Sequence, residues 1–271
     1  MSEKSKAAFN SGSGSVPGPY AANVPPPSFD ESVQDGSSTF KTRFACIAFA
    51  LPDRMRLIQF PEVEMAAVYE VVKASWPLGI GHFRPHDRSR EIKLNGYPWG
   101  ADKNGNDDGR RLVLCILESL YNMGWVLETA VDVTMKKSSR DSLVFRRQNP
   151  VPPPCEWISI SFNCGDKLKV LGAQPKELVD AILHVFSAGI ERHEATSDRL
   201  KVKFKGYPWC PSEVDAVKTG VLLLALLDTL EHCGFTLYAT TSVRFDSESE
   251  SDVLVCQRQR DWIPGAPIWH R

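Results

Sequence analysis

The sequence lacks the features that define several large functional classes. Its apolar runs, such as residues 221–227, which end at Asp228, fall far short of the 18 residues or more that a membrane span needs. Neither sign of charge dominates, since 32 Lys and Arg face 33 Asp and Glu, so nucleic acid is a disfavoured partner. The first residues contain no apolar segment of the kind found in secretory signals. We therefore expect a cytoplasmic location, with the nucleus as the alternative.

Signatures of catalysis and of cofactor or metal binding are also missing. The sequence contains no Gly-x-Ser-x-Gly, no Walker A loop and no Gly-x-Gly-x-x-Gly. Its seven cysteines include no Cys-x-x-Cys pair, which favours free, buried thiols. His82 and His86 have the i, i+4 spacing of helical metal ligands, but Pro85 between them argues against a helix. We accordingly predict no catalytic residue, no metal and no cofactor.

Residues 1–40 differ in composition from the rest of the chain. They are rich in Ser, Gly and Pro, a composition that buries too little apolar surface to offset the entropy of ordering, so we predict a disordered tail. Pro25, Pro26 and Pro27 favour a polyproline II conformation, and Phe29 follows them. This segment is a candidate docking motif for a WW- or SH3-type domain, with a simple spacer as the alternative.

An internal repeat organises the remainder of the chain. The tetrapeptide Gly-Tyr-Pro-Trp at residues 96–99 recurs at residues 206–209, an offset of 110. The offset persists through the following apolar positions and becomes 113 in the segments upstream. Such matching indicates a tandem duplication. We define module 1 as residues 41–149 and module 2 as residues 155–262, joined by a Pro-rich linker at 150–154 and followed by a C-terminal tail at 263–271.

Each module has the pattern of an α+β domain. Alternating apolar residues around a turn predict a hairpin, and a Pro-initiated stretch with helical spacing predicts a helix. A variable loop, a strand ending in Gly-Tyr-Pro-Trp, a Leu-rich helix and two closing strands follow. Gly124 and Gly234 stand where the long helix needs a left-handed C-terminal residue. The predicted order is ββαβαββ, a two-layer sandwich with helices on one face of a mixed sheet.

These motifs carry a resemblance. The strand at residues 201–205, the Gly-Tyr-Pro-Trp element, the Leu-rich helix and the Gly-aromatic pair after it are together similar to a family of eukaryotic proteins without an assigned activity. Its members contain one or two modules of the form (F/I)-K-x-x-G-x-P-W, Leu-rich helix, Gly-Trp and final strand. The resemblance covers residues 41–262, and Phe235 departs from it by replacing the Trp. It implies the fold and module boundaries, and it implies no activity.

The repeated tetrapeptide with its preceding lysine is the most distinctive candidate site. Gly permits a positive φ and Pro restrains the next residue, so the turn presents two aromatic rings rigidly. One interpretation is a platform for a ligand or a partner protein; the other, which we favour for the tryptophans, is closure of the core. The candidate residues are Lys93, Tyr97, Trp99, Lys203, Tyr207 and Trp209.

Lys201, Lys203 and Lys205 alternate along one strand and share a face. With Lys167 and Lys169 they are a candidate anion site, but module 1 repeats only the central lysine. A solvated sheet face is therefore the favoured interpretation.

Three functional hypotheses remain. The leading one is a non-enzymatic protein-interaction or scaffold protein, because the chain is duplicated and shows no polar constellation suited to a reaction. The first alternative is a small-molecule or lipid-like ligand binder, with a pocket between helices and sheet or at the seam between the modules. The second alternative is an enzyme whose site is assembled from scattered residues.

Overall fold

A computed structural model describes residues 43–99, 107–132, 142–241 and 252–268. The predicted tail, with Pro25, Pro26, Pro27 and Phe29, lies outside the described residues. Within the described ranges, no helix is long and apolar enough to cross a membrane.

Module 1 follows the predicted alternation of strands and helices. The alternating residues of its first hairpin point Ile47 and Phe49 inward and leave Ala48 on the opposite face. Its elements are β1 (Phe44–Ala50), β2 (Arg54–Ile58), α1 (Glu62–Ser75), β3 (Ile80–His86), β4 (Ser89–Leu94), α2 (Asp107–Asn122), β5 (Trp125–Val131) and β6 (Ser142–Arg147).

Module 2 repeats this order. A short 3-10 helix, Glu213–Asp215, precedes its long helix. Its elements are β7 (Cys155–Asn163), β8 (Lys167–Gly172), α3 (Lys176–Val185), β9 (Ile190–Thr196), β10 (Arg199–Phe204), α4 (Ala216–His232), β11 (Thr236–Thr241) and β12 (Val253–Gln259).

The α+β class and the tandem repeat are confirmed, with two differences in the sheets. Each sheet has six strands, in the equivalent orders β3-β4-β2-β1-β6-β5 and β9-β10-β8-β7-β12-β11. The sixth strand, β3 or β9, is the segment predicted to be a variable loop. All pairings between described strands are antiparallel, so the prediction of a mixed sheet is wrong.

The missed strands lie at sheet edges. In β9 only Ile190 is even partly buried, because the strand is held by its backbone pairing with β10 rather than by apolar contacts. β3 contains Pro85, which an edge strand tolerates. Charged side chains on such edges also discourage pairing with other chains. An edge strand of this kind therefore lacks the apolar alternation by which strands are recognised.

Both long helices end at the predicted glycines. Gly124 has φ +86° and Gly234 has φ +83°, and each donates its backbone N–H back to the last helical turn. This left-handed residue turns the chain directly into β5 or β11. The helices consequently lie across their own sheets, with their buried residues in the module cores.

The helix α2 lies between the two sheets. One side of it packs in the core of module 1, and another side contacts β7 and β8 on the face of the second sheet that α3 and α4 do not cover. We call this contact surface the seam. It makes the two modules one compact unit, because the buried cluster of module 1 continues into Trp157, Tyr238 and Val255 of module 2.

Candidate functional site

Trp99 closes the core of module 1. Its side chain is 2% exposed, its indole N–H donates to the backbone carbonyl of Arg54 at 3.2 Å, and its ring meets Phe49 edge-on at 4.7 Å. The preceding Gly96 has φ +77°, as the turn required. This ring belongs to the core, in agreement with the favoured interpretation, and is not presented to a ligand.

Trp209 has the equivalent position in module 2. It is partly buried, with ring centroids 4.6 Å from Phe162 and 5.5 Å from Phe204. Its backbone N–H donates to the carbonyl of Gly165 at 2.9 Å, which ties the tetrapeptide to the turn between β7 and β8. Each tryptophan therefore holds its turn against the core of its own module.

The remaining candidates of the tetrapeptide site lie apart from the tryptophan rings. Tyr97 and Tyr207 are 71% and 68% exposed. Lys93 lies 3.8 Å from Asp53 and Lys203 lies 2.7 Å from Glu191, so each lysine pairs with a carboxylate of its own module. In neither module does the structure bring the lysine, the tyrosine and the tryptophan together as one aromatic platform, and the tyrosine rings are exposed.

The lysines of the predicted anion site differ in their exposure. Lys203 and Lys205 are partly or fully exposed, whereas Lys169 is 4% exposed and donates to the Asp107 carboxylate of module 1 at 2.9 Å. Burial lowers the pKa of Lys169, and the hydrogen bond to Asp107 opposes this shift. Lys169 therefore stabilises the seam by its ion pair and does not form part of an anion site.

The histidine pair lies on strand β3, beside a buried carboxylate. Glu91 is fully buried, and its oxygens lie 3.3 Å from His82, 3.8 Å from His86 and between 3.1 and 3.4 Å from three guanidinium groups, those of Arg54, Arg56 and Arg84. Burial alone would raise the pKa of Glu91, but hydrogen bonds from His82 and Arg56 and the nearby arginine charges hold it at about 2. In the described part of the chain no group of three His, Cys, Asp or Glu side chains is placed to hold a metal.

None of the seven cysteines, all within the described residues, forms a disulfide, and their environments differ. Cys155, Cys233 and Cys256 are buried, and burial raises the pKa of Cys256 to about 12. Cys164 and Cys210 are exposed, so the prediction of buried thiols is wrong for these two. Both lie in the loops joined by the Trp209 to Gly165 hydrogen bond, where the chain is at the surface.

The seam was not predicted in residue detail, and three ion pairs between described residues connect its halves. Asp107 pairs with Lys169, Arg111 lies 2.8 Å from Asp198, and Glu118 lies 3.7 Å from Arg260. The Asp107 pair is the buried one of the three and joins the first turn of α2 to the middle of β8. It sets the position of the helix along the second sheet.

Three aromatic rings form the centre of the seam. Tyr121 on α2 meets Trp157 and Tyr238 of module 2, with ring centroids 5.2 and 5.7 Å apart, and the latter two are separated by 4.8 Å. The Tyr238 hydroxyl accepts the backbone N–H of Leu127 at 2.7 Å. The sequence signal for this surface lies on the outward face of β7, where Trp157 is followed by serines. A strand face in contact with water carries charged residues instead.

A cavity of about 650 Å³ opens beside these rings, a size typical of small-molecule sites. Trp157 lines it, and the buried indole N–H of Trp157 has no hydrogen-bond partner among the described residues. The cavity combines apolar and charged side chains from both modules. It is lined by Ser75, Arg111, Leu114, Cys115, Glu118, Glu156, Trp157, Gly172, Ala173 and Arg260.

The outer face of α4 is the counterpart of the face that α2 turns to the seam. It bears Val217, Val221 and Leu224, which are 78%, 59% and 62% exposed. These residues recur at i, i+4 and i+7 and therefore form one apolar row, which we call the α4 row. Gly220 lies within it, and a Cβ added there would meet no atom within 4 Å.

Comparison with known proteins assigns the modules to a family. One domain-family model, described without an activity, matches the chain twice, over residues 43–146 and 156–257. The chain belongs to this domain family. Among solved structures, it is similar to a conserved kinetoplastid-specific protein from Trypanosoma cruzi, with 22% identity over 40% of this chain and 97% of that chain and a TM-score of 0.30. No curated protein matches the chain.

Proposed function

We propose that this chain is a non-enzymatic interaction protein that uses the outer face of its long helix as a docking surface. The observation that carries the proposal is the α4 row. A row of three largely exposed aliphatic residues on one helix face is costly in water and is typical of a surface covered by a partner.

The seam supports this proposal, because it shows how the same surface is used in module 1. There α2 covers its outer face with the sheet of module 2, through an aromatic centre, the buried Asp107–Lys169 pair and a more exposed pair between Arg111 and Asp198. An interface with a desolvated aromatic or aliphatic centre and a charged rim has the anatomy of a protein–protein contact. The module therefore has a helix face suited to protein docking, and in module 2 that face is exposed.

Site-specific photo-crosslinking tests the docking surface. A photoreactive residue at position 221 of the full chain is expected to form protein adducts, identified by mass spectrometry, and Leu224→Asp in the same chain should abolish them. Val63 on α1 is 82% exposed and lies outside the α4 row, so the same probe at position 63 is the matched control. Equal labelling at both positions, or adducts that survive Leu224→Asp, would contradict the proposal.

A second function, binding of a small molecule, is favoured by the seam cavity. Leu114 and Ala173 offer apolar contact, and Arg111 and Arg260 offer hydrogen-bond donors to an acceptor. A ligand with an apolar body and an oxygen acceptor, including a lipid-like one, suits this lining.

Native mass spectrometry tests the cavity. The purified chain is expected to carry a discrete added mass that Cys115→Phe removes by filling the cavity. Ala225 is the counterpart of Cys115 on α4 and lies outside the seam, so Ala225→Phe should leave the added mass unchanged. A native chain without added mass, or one whose added mass survives Cys115→Phe, would exclude this function.

Other partners stay predictions. The tail segment at Pro25, Pro26, Pro27 and Phe29 is proposed to dock on a WW- or SH3-type domain, and the cytoplasmic location is proposed from the sequence alone.

A further inference from the structure

Both surfaces that meet in the seam have a second copy elsewhere in the chain. The outer face of α2 corresponds to that of α4, and the outer face of β7 and β8 corresponds to that of β1 and β2. We infer that the occupant of the α4 row is a second copy of this chain, bound through the outer face of its β1 and β2. This inference rests on the proposed function and names its partner.

The helix side of the inferred contact is more apolar than its counterpart in the seam. Asp107 and Arg111 of α2 are replaced on α4 by Val217 and Val221. In the seam these two charged residues are paired, with Lys169 and Asp198. Their replacement by valine is compatible with docking only where the opposing sheet presents no unpaired charge at those points.

The sheet side meets this requirement opposite Val217; opposite Val221 it presents Arg88, an exposed side chain in the turn between β3 and β4 whose guanidinium can stay in solvent. Arg56 is the counterpart of Lys169, and its guanidinium already pairs with Glu91 of the same sheet at 3.1 Å. In module 2 the carboxylate that pairs with Lys169 comes from the incoming helix α2. In module 1 the carboxylate that pairs with Arg56 lies on the same sheet. The helix that faces Arg56 therefore needs no aspartate, and a valine packs on the aliphatic part of the arginine.

The β1 strip of this sheet face is apolar, and beside it Glu128 on β5 is the counterpart of Tyr238. Phe44, Cys46 and Ala48 on β1 are the counterparts of Trp157, Ser159 and Ser161 on β7. Phe44 is 46% exposed, and Val144 on the neighbouring strand β6 faces the same side as Cys46, with which it is in register. This strip lets an aliphatic helix row approach closely, as the serines of β7 let α2 approach.

One pair of charges supports the same arrangement. In the seam, the side chain of Gln257 lies close enough to the Tyr121 hydroxyl to lower its pKa, against the larger opposite effect of burial. Their counterparts are Glu231 on α4 and Arg146 on β6, which have opposite charges. Arg146 also pairs with Glu128 at 2.8 Å and keeps further donors for a second carboxylate. The inferred contact therefore replaces a polar pair with an ion pair.

A contact between two different surfaces of identical chains is heterologous. It leaves one unused copy of each surface at the two ends of the assembly, so it extends into an open chain or closes into a ring. This property separates it from a symmetric contact of α4 with α4, which stops at a dimer.

Mixing two variants tests the inference with full-length protein. Val221→Asp blocks the helix face and Ala48→Glu blocks the sheet face, and both positions are accessible enough for the fold to be retained, which circular dichroism checks. By light scattering coupled to size exclusion, the wild-type chain is expected to form dimers and larger species. Each variant alone should be monomeric, and their mixture should give a 1:1 dimer and nothing larger, since each pair has one intact contact.

Charge exchange gives an independent readout. Glu231→Arg or Arg146→Glu alone is expected to weaken self-association roughly tenfold, and the chain with both changes should regain it. A wild-type chain that stays monomeric overturns the inference, as does a mixture of Val221→Asp and Ala48→Glu that stays monomeric. If position 221 then still crosslinks to another protein, the docking function stands and only the identity of the partner is wrong.

Discussion

The ammonium group of Lys169 in module 2 donates a 2.9 Å hydrogen bond to the carboxylate of Asp107 in module 1. The lysine is almost fully buried, and the aspartate lies in the first turn of α2. A carboxylate there is favoured by the helix dipole and compensates the buried ammonium. One ion pair thus connects the start of a helix in one module to the sheet of the other.

Removing the aspartate is expected to destabilise the chain more than removing the lysine. Asp107→Ala removes a carboxylate that compensates the buried ammonium and should lower the free energy of unfolding by about 2 kcal/mol, whereas Lys169→Met replaces the charge with an apolar chain of similar length and should cost less. Urea denaturation measures both. Asp108→Ala, in the same helical turn, is the control for the helix-dipole contribution. Equal losses for Asp107→Ala and Asp108→Ala would show that the pair contributes little.

The hydroxyl of Tyr238 is expected to stabilise the seam. Tyr238→Phe removes the hydroxyl that accepts the backbone N–H of Leu127 and should cost about 1–2 kcal/mol of unfolding free energy. Amide hydrogen exchange at Leu127 should become faster in this variant. Tyr207→Phe removes a hydroxyl from an exposed ring and is the matched control, with a change within about 0.5 kcal/mol.

Glu91 is expected to make stability depend on acidity. Its pKa is about 2 in the folded chain and about 4.3 in an unfolded one, so its contribution is complete above the unfolded value and is lost as the pH falls toward 2. Glu91→Gln should therefore lower the unfolding free energy at pH 7, and the difference from wild type should shrink below pH 4. Urea denaturation at pH 7, 5 and 3 measures this.

The control for this prediction is Glu62→Gln, since Glu62 is exposed and pairs with Arg90. An exposed pair contributes between zero and about 1 kcal/mol, so that variant should resemble wild type at every pH. A difference between wild type and Glu91→Gln that is constant from pH 7 to 3 would contradict the assignment.

The two aromatic residues of the tetrapeptide are expected to behave differently. Trp99→Ala removes a buried ring and should cost about 3–5 kcal/mol, whereas Tyr97→Ala should change the unfolding free energy by less than about 0.5 kcal/mol. Thermal unfolding compares the two variants. Similar losses for both would mean that Tyr97 also belongs to the core.

Much of the fold could be predicted from local pattern. Apolar alternation marked the hairpin strands, Pro61 and Pro175 marked helix starts, and Gly124 and Gly234 marked helix ends. These signals lie within a few residues of the feature they predict, because they reflect local backbone sterics and the burial of one face. The strands β3 and β9 were not predicted, because an edge strand is held by backbone pairing to a neighbouring strand. Its side chains therefore show no apolar alternation.

The candidate site was predicted less well, for a related reason. The tetrapeptide was identified from its repetition, but repetition does not tell a buried ring from an exposed one. Trp99 and Tyr97 are two residues apart and differ completely in exposure. The lysines beside them are neutralised by Asp53 and Glu191, which only the folded sheets bring close.

The sequence by itself determined that the chain contains two equivalent α+β modules, because duplication is visible as matching residues at a fixed offset. It also determined most helices and strands, since their signals are local. Only the tertiary structure decided that α2 docks on the sheet of module 2, that Lys169 meets Asp107 and that the α4 row is exposed. The physical reason is that such contacts join surfaces far apart in the chain, and their energy depends on complementarity of shape and charge rather than on periodicity.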